Sequence, residues 1–458
     1  MTSYESMVAS KFSTSKFPPV PHGPIAPHLY PFQADLVGWA LRRGRAAIFA
    51  DTGLGKTAMQ TEWARQVAEH GRVLVLAPLA VADQTARWAA GYGVEMVYRR
   101  KDEGDRITIA NYEMLEHFDP SAFAGVVLDE SSILKSFTGS TRTALIEAFS
   151  ATPWRLACTA TPAPNDFTEL GNHSEFLGAL SRVEMLSEFF THDGGSTQDW
   201  RIKGHATRPF WEWVASWGAV VRTPSALGYD DTSFRLPPLS IREHSIKIGP
   251  EQAHAAGMLF ADDAKTLNDQ RAVRRSTLNE RVDTISELVF SDVNEPWIVW
   301  CEYNAEGDAL MDSIPGAVQV SGADDPETKR DRLLGFSSGK YRVLVTKPSI
   351  AGFGMNWQHC ARMAFTGPSH SYEQTYQAIR RCWRYGQTRP VEVHIVSAET
   401  ERAVVANMRR KEADADRLAA ETQELVGPAM RAAIGATERR WNPYNPNVSM
   451  EIPSWLKS

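Results

Sequence analysis

An eight-residue stretch, Ala50 to Thr57, has the residue types of a loop that binds phosphate groups. Its two glycines let the backbone curl so that N–H groups point inward, and the dipole of a following helix favours negative charge. Lys56 can reach the β- and γ-phosphates of a nucleotide, and the Thr57 hydroxyl can contact Mg²⁺. An apolar run precedes the stretch and an amphipathic run follows it, so we predict a nucleotide site rather than a plain strand-to-helix turn. The predicted site residues in this stretch are Thr52, Gly53, Leu54, Gly55, Lys56 and Thr57.

Two carboxylates, Asp129 and Glu130, follow a hydrophobic run that ends at Leu128. A magnesium-assisted phosphate site needs one carboxylate to hold Mg²⁺ and a neighbour to polarise the attacking water. Asp-Glu pairs are also common on protein surfaces, but the apolar strand before this pair and the loop upstream favour the catalytic interpretation. We therefore predict that Asp129 holds the metal, mainly through water, and that Glu130 activates the nucleophile.

Two arginines in the second half of the chain, Arg381 and Arg384, are three residues apart and share one face of a predicted helix. Two guanidinium groups on one face suit a polyphosphate held across an interface. The alternative is a solvated basic helix. Two other patterns are weaker on their own: Gln33 could read adenine with its amide or could simply start a helix, and Thr159 to Pro162 could bridge the site to a neighbouring lobe or could cap a strand.

The composition describes an ordinary globular protein of about two or three domains, with 458 residues, 43% hydrophobic and 23% charged. The formal net charge of −6 gives no global basic signal, so any nucleic-acid surface must be local. Four scattered cysteines without a C-x-x-C spacing indicate neither a zinc site nor a disulfide framework. The sequence has no signal-peptide pattern and no stretch long enough to span a bilayer, so we expect a reducing cytoplasm and no membrane partner.

Strand and helix patterns alternate as far as Thr161, which predicts a parallel doubly wound sheet. Residues 166–229 break this rhythm with a helical, aromatic stretch, in which Trp211, Val214 and Trp217 share one helical face and are expected to fill a core. Prolines and glycines mark a linker near 223–240. The α/β rhythm then returns, and a charged helix is predicted over 403–421.

In this order the motifs resemble those of superfamily-two helicases and translocases, nearest to the Swi/Snf-type ATPases and to single-chain helicase-like proteins carried by bacteriophages. The resemblance covers about Tyr30 to Val396. It implies an α/β fold of two RecA-like parallel-sheet lobes with ATP between them, a helical insertion after the third motif and a helical C-terminal extension. The implied organisation is a flexible leader (1–27), a first lobe (28–235, with the insertion at about 166–229), a second lobe (236–425) and a tail (426–458).

The resemblance also implies roles for individual residues. Lys56, Asp129, Glu130, Arg381 and Arg384 would be catalytic, with the two arginines stabilising the γ-phosphate. ATP and Mg²⁺ would be the cofactors, with Thr57 and Asp129 at the metal. Gln33 would read adenine, and Gly354 and Asn356 would join the loop residues in binding ATP. Thr159, Thr161 and Gln377 would couple hydrolysis to motion.

Two residues depart from the family pattern, because Ser132 stands where the family usually has His and Arg380 replaces the usual Gly. The main expectation is a DNA-stimulated ATPase that translocates along duplex or single-stranded DNA with little sequence preference. Replication, recombination or restriction proteins are the expected partners, in a bacterial host cytoplasm if the chain is phage-encoded. The alternatives are an ATP-gated nucleic-acid-binding adaptor without processive turnover and a DEAD-type RNA helicase.

Overall fold

The computed structural model describes residues 17–432 apart from gaps at 136–138, 164–165, 193–199, 250–266, 352–354, 370, 403, 407–408, 411–423, 425–426 and 429. Within these residues the chain is an α/β protein with two large parallel sheets, one of seven strands and one of six. We call the seven-stranded sheet and its helices the first lobe, and the six-stranded sheet and its helices the second lobe.

The first sheet is built from strands that are almost completely buried. Helices cover both of its faces, which is why these strands are continuous apolar runs rather than alternating ones. In chain order they are β1 (Arg45–Ala50), β2 (Val73–Ala77), β3 (Val97–Tyr98), β4 (Ile107–Asn111), β5 (Gly125–Asp129) and β6 (Trp154–Cys158), and a later strand, β9 (Gly218–Val221), completes the sheet. Their spatial order is β3-β4-β2-β5-β6-β1-β9. Strands β1, β5 and β6 are therefore neighbours, and their carboxyl ends meet at one edge of the sheet.

Among the described residues, seven α-helices accompany this sheet. They are α1 (Pro31–Arg43), α2 (Lys56–Ala68), α3 (Leu79–Gly91), α4 (Ser140–Ala148), α5 (Leu170–Leu177), α6 (Arg182–Phe189) and α7 (Thr207–Ala215). Helix α2 starts directly after the predicted phosphate loop, so the predicted order of strand, loop and helix is confirmed.

The stretch 166–229 is not purely helical. Besides three helices it contains a hairpin of β7 (Phe190–His192) and β8 (Trp200–Ile202), and β9 pairs with β1 at the edge of the first sheet. The prediction of a helical insertion is therefore incomplete, because these strands are only three or four residues long and carry little pattern. The expected core role of the tryptophans is confirmed, since Trp211 and Trp217 are 2% and 4% exposed.

The second sheet contains β10 (Leu239–Ile246), β11 (Trp297–Trp300), β12 (Ala317–Val320), β13 (Val343–Thr346), β14 (Arg362–Phe365) and β15 (Val391–Ala398). Their spatial order is β10-β15-β14-β11-β13-β12. All of its pairings are parallel. Its outermost strand, β10, pairs with β15 over eight residues and was missed in the sequence, because an edge strand that is half exposed carries a polar, weakly periodic pattern.

Buried ion pairs join helices of the second lobe to one another and to the turn that follows β15. Arg281 pairs with Glu401 at 2.6 Å, and Arg274 pairs with Glu306 at 3.0 Å. Because each charge is paired and further hydrogen-bonded, its burial is tolerated. The helices are α8 (Leu267–Ser276), α9 (Leu278–Ser291), α10 (Asn304–Ser313), α11 (Pro326–Ser337), α12 (Pro348–Ala351) and α13 (Tyr372–Ile379).

The two ends of the chain are described only in part. Residues 17–27 of the predicted leader lie against the first lobe, where the Val20 amide donates to the Leu41 carbonyl at 2.8 Å. Residues 1–16, most of the predicted 403–421 helix and nearly all of the 426–458 tail lie outside the described residues. Of the helices that the structure describes, none has the length and apolarity needed to cross a membrane.

Candidate functional site

The predicted phosphate loop, within residues 50–57, follows β1 and contains two glycines with a left-handed backbone conformation. Gly53 and Gly55 have φ angles of 92° and 82°, values that side chains strongly disfavour. Both glycines are also tightly covered: a Cβ on Gly53 would lie 2.9 Å from Tyr385, and one on Gly55 would collide with the amide of Gln33. The glycine pattern thus reflects both the backbone turn and close approach of neighbouring side chains.

Gln33 braces this loop from helix α1. Its amide nitrogen donates to the Leu54 carbonyl at 2.8 Å, and its amide oxygen accepts from the Tyr30 backbone amide at 3.0 Å. The residue is 4% exposed. Both polar ends of the side chain are therefore engaged within the protein, and its reading of adenine stays a prediction.

Lys56 begins helix α2 and points its ammonium group back over the loop. Its Nζ donates to the Ala50 carbonyl at 2.9 Å. Burial lowers the pKa of Lys56, while the nearby carboxylates of Glu130, Asp51 and Asp129 act in the opposite direction. The lysine is thus held among acidic groups at the place where the predicted phosphates would bind. Thr57, the next residue, is partly exposed at the first turn of the same helix.

Asp129 and Glu130 lie at the carboxyl end of β5, one strand away from the end of β6. Asp129 is 4% exposed, and its burial, together with the neighbouring Glu130 charge, raises its pKa to about 6. Its carbonyl accepts a hydrogen bond from the Tyr112 hydroxyl at 2.6 Å. Two adjacent carboxylates that are shielded from water repel each other, and a cation beside them reduces that repulsion.

Glu130 adopts a left-handed backbone conformation with φ of 52°, the single such non-glycine residue among those described. Thr159, at the end of β6, donates its hydroxyl to the Glu130 carboxylate at 3.3 Å. The Thr161 amide donates in turn to the Thr159 hydroxyl at 3.1 Å. The threonines that we expected to have a coupling role therefore form a short chain of hydrogen bonds to the carboxylate that we expect to activate water.

The second lobe contributes three arginines, Arg380, Arg381 and Arg384, from the turn that follows helix α13. The prediction that Arg381 and Arg384 share one face of a helix is wrong, because the helix ends at Ile379. Arg381 donates to the Gln377 side-chain oxygen at 3.0 Å and to the Met355 carbonyl at 3.2 Å. Arg384 also reaches the Met355 carbonyl, at 3.5 Å. Gln377 thus orients an arginine, and its predicted coupling role between lobes stays a prediction.

Positive charge is crowded at this point. Burial lowers the pKa of Arg381 and of Arg384 to about 10, and for Arg384 the neighbouring Arg381 and Arg380 charges lower it further. The Nε atoms of Arg380 and Arg384 are buried, and neither has a hydrogen-bond partner among the described residues. Buried donors without partners are costly, so this cluster is suited to an anion.

Arg380 connects the arginine cluster to the phosphate loop. Its guanidinium lies 2.8 Å from the Asp51 carboxylate and donates to the Thr52 carbonyl at 3.0 Å. The Tyr376 hydroxyl donates to the same carboxylate at 2.9 Å, and Tyr385 hydrogen-bonds Tyr30 at 2.8 Å. Sequence reasoning assigned no role to Arg380, Asp51 or these tyrosines. The signal available was the departure of Arg380 from the family pattern.

A cleft of about 1050 Å³ continues from Glu130 between the two lobes. Asn356 is exposed on its wall, whereas Gly354, like Gly352, lies outside the described residues. Ser132 also lines the cleft. Five basic side chains and four carboxylates line the cleft, and both lobes contribute basic side chains. The basic residues are Arg87, Arg100, Lys135, Lys329 and Arg330.

The donor set at the phosphate loop suits magnesium. Mg²⁺ prefers oxygen ligands and keeps several waters, so one hydroxyl from Thr57 and one carboxylate from Asp129 suffice beside nucleotide phosphates. Burial is the main cause of the raised pKa of Asp129 and the Glu130 charge is the second, and a cation bound beside both carboxylates would lower that pKa. Among the described residues there is no group of three or more His, Cys, Asp or Glu side chains that would hold a metal by itself.

No protein-family model matches this chain, and no curated protein shows significant similarity to it.

Proposed function

We propose that the chain is an ATP-dependent DNA translocase or helicase that hydrolyses ATP between two RecA-like lobes. The observation that carries this proposal is the position of the arginine cluster. The buried Nε of Arg384 in the second lobe lacks a partner, and so does the Nε of Arg380, whose Nη2 contacts the phosphate loop of the first lobe. A triphosphate on that loop would supply the missing acceptors.

In this proposal the phosphate loop binds the nucleotide before any motion occurs. The Lys56 ammonium exchanges the Ala50 carbonyl for the β- and γ-phosphates, and Gly53 and Gly55 leave the backbone N–H groups free to approach the phosphate oxygens. Mg²⁺, held by Thr57 and Asp129, would supply charge neutralisation. Glu130, oriented by Thr159, then positions the attacking water.

The second lobe completes the site. Arg381 and Arg384 stabilise the charge that develops on the transferred phosphoryl group, an effect worth roughly 10³–10⁵ in rate for arginine fingers. Because these arginines belong to the second lobe, closing the lobes is favoured with ATP present and less favoured after hydrolysis. ATP turnover would thus drive a repeated opening and closing.

The cleft beside this site is the proposed path of DNA. The basic side chains on its walls suit phosphate contacts, which bind without reading sequence. A protein with a net charge of −6 must concentrate its cations in this way to bind a polyanion. The proposed partners are therefore DNA and, through it, replication, recombination or restriction proteins, with the bacterial cytoplasm as the proposed location.

A second candidate is an ATP-gated adaptor that binds nucleic acid without processive turnover. The contact of Arg380 with Asp51 favours it, because a residue that departs from the family pattern joins the lobes directly and could act as a simple switch. A DEAD-type RNA helicase is a less favoured alternative, since the sequence around Arg384 is closer to the Swi/Snf type.

One titration separates these candidates. Steady-state phosphate release is measured with Mg·ATP against increasing single-stranded DNA, duplex DNA and RNA. A translocase gives DNA-stimulated release that falls with rising salt, an adaptor gives no sustained release, and an RNA helicase responds to RNA. A rate that is indifferent to every nucleic acid and to salt contradicts the translocase proposal.

A further inference from the structure

The backbone at Glu130 is held in an unfavourable conformation by contacts on both sides. A left-handed φ in a non-glycine residue is costly and persists only where the surrounding structure over-determines it. Before Glu130, the Asp129 carbonyl accepts from the Tyr112 hydroxyl. After Glu130, the chain forms a short 3₁₀-helix, Ser131–Lys135. Whatever holds that short helix therefore helps to aim the Glu130 carboxylate.

Helix α5 of the 166–229 stretch holds it through two successive side chains. The His173 ring lies 3.1 Å from the Ser131 hydroxyl, and the amide of Asn172 donates to the Leu134 carbonyl at 2.7 Å. His173 and Ser131 are each 0% exposed. Without His173, a hydroxyl next to Glu130 would be buried without this partner.

His173 also contacts the strand that leads to the phosphate loop. Its ring packs edge-on against Phe49 of β1, with 5.1 Å between ring centroids. One imidazole thus touches both the strand before the loop and the residue after the two carboxylates. Burial lowers the pKa of His173 to about 4, so the ring is neutral at neutral pH and acts by packing and hydrogen bonding, not by charge.

We propose that His173 is a positioning residue that acts through Ser131 to hold Glu130 in its water-activating conformation. This inference rests on the proposed ATPase function. The sequence has Ser132 where the family that it resembles usually has His, and His173 places an imidazole beside the same segment from a different helix. The 166–229 stretch then bears directly on the chemistry of the site.

The test compares His173→Leu, His173→Gln, Ser131→Ala and the double variant His173→Leu/Ser131→Ala. His205, exposed in the same stretch, gives the control His205→Leu. Loss of one oriented hydrogen bond should lower kcat about tenfold in His173→Leu and in Ser131→Ala while the KM for ATP changes less than about twofold. His173→Gln should retain part of the rate that His173→Leu loses. The kcat of the double variant should be no lower than that of either single variant.

A purely structural role predicts a different pattern, in which kcat falls only with the melting temperature and Gln restores nothing. That pattern, or an unchanged kcat in His173→Leu, overturns the inference. Crystal structures of the wild type and of His173→Leu give a readout that needs no activity. A negative φ at Glu130 in His173→Leu, with a positive φ in the wild type, supports the positioning role. An unchanged left-handed φ in His173→Leu overturns it. A wild type that hydrolyses no ATP overturns the proposed function, while these structures still decide the role of His173.

Discussion

Arg380 and Asp51 form an ion pair between the two lobes, with a nitrogen–oxygen distance of 2.8 Å. Arg380 is 2% exposed, and it also donates to the Thr52 carbonyl, so it holds the first part of the phosphate loop by side chain and backbone together. The conformation of the phosphate loop and the contact between the lobes therefore depend on the same residue, Arg380. A displacement of Asp51 or Thr52 would therefore break this contact between the lobes.

Replacing Arg380 by the glycine of the family pattern should loosen the docking of the lobes in the absence of nucleotide. The charge reversal Arg380→Asp/Asp51→Arg should restore part of it, and a double-mutant cycle should give a coupling of about 1–3 kcal/mol. The measurement is the lobe separation by small-angle X-ray scattering, with limited proteolysis as a second probe. Arg402→Gly, at an exposed second-lobe arginine, is the control. Equal scattering from wild type and Arg380→Gly contradicts a role in docking.

Arg384→Ala should abolish turnover and leave ATP binding nearly intact. The arginine acts on charge that develops during phosphoryl transfer, so kcat should fall by roughly 10³-fold or more while nucleotide affinity changes only a few-fold. Single-turnover hydrolysis and equilibrium binding of a non-hydrolysable ATP analogue measure the two effects separately. Arg402→Ala should match the wild type. Hydrolysis at the wild-type rate by Arg384→Ala would mean that the second lobe does not complete the site.

A methyl group on Gly55 should destabilise the phosphate loop. Alanine at its φ of 82° is strained, and the new Cβ would collide with Gln33, which must then release the Leu54 carbonyl. The expected cost is about 1–3 kcal/mol of unfolding free energy, with weaker nucleotide binding. Gly23→Ala is a matched control, because Gly23 has open space around it and no positive φ. Chemical denaturation of the wild type, Gly55→Ala and Gly23→Ala measures the loss of stability. Equal denaturation midpoints for the three proteins would contradict the steric argument.

The parts of the fold that could be predicted from sequence are those that bury apolar runs. Strands such as β2 and β5 are buried along their whole length, and helix α2 follows a glycine loop with a recognisable pattern. The edge strand β10 could not be predicted in this way, because its Leu239–Ile246 segment is largely exposed and its partner β15 is distant in sequence.

The same distinction applies to the candidate site. The loop, the two carboxylates and the arginine pair are local patterns, and each can be seen without knowing the fold. The contact between Arg380 and Thr52 joins residues 328 positions apart, and the contact between His173 and Ser131 crosses from one helix to another. No local pattern reports such pairs, since they depend on how the elements pack.

Asp129→Asn should stabilise the nucleotide-free protein at neutral pH in the absence of Mg²⁺. The folded state raises the pKa of Asp129 to about 6, so stability falls as the pH rises from about 4 to about 6 and then stays level. Asn lacks this titration, so its advantage over wild type should be small at pH 4 and reach at most about 3 kcal/mol above pH 6. Chemical denaturation of both proteins at pH 4 and pH 8 measures this stability advantage, and adding Mg²⁺ should reduce it. An advantage that is the same at pH 4 and pH 8 would contradict the assignment.

Charge reversal in the cleft should weaken DNA binding without weakening ATP binding. Arg87 of the first lobe and Arg330 of the second both contact the Asp83 carboxylate where the cleft walls meet, and they are 50% and 58% exposed, so Arg87→Glu and Arg330→Glu should fold normally. If each contacts one phosphate, each variant should reduce the slope of log affinity against log salt by about 1, with an effect that does not depend on DNA sequence. Fluorescence anisotropy with two unrelated duplexes at several salt concentrations measures the slopes, and Arg402→Glu is the control. Because the two arginines come from different lobes, a loss in both variants means that DNA spans the cleft, a loss in one alone places it on that lobe, and no loss in either moves the DNA path elsewhere.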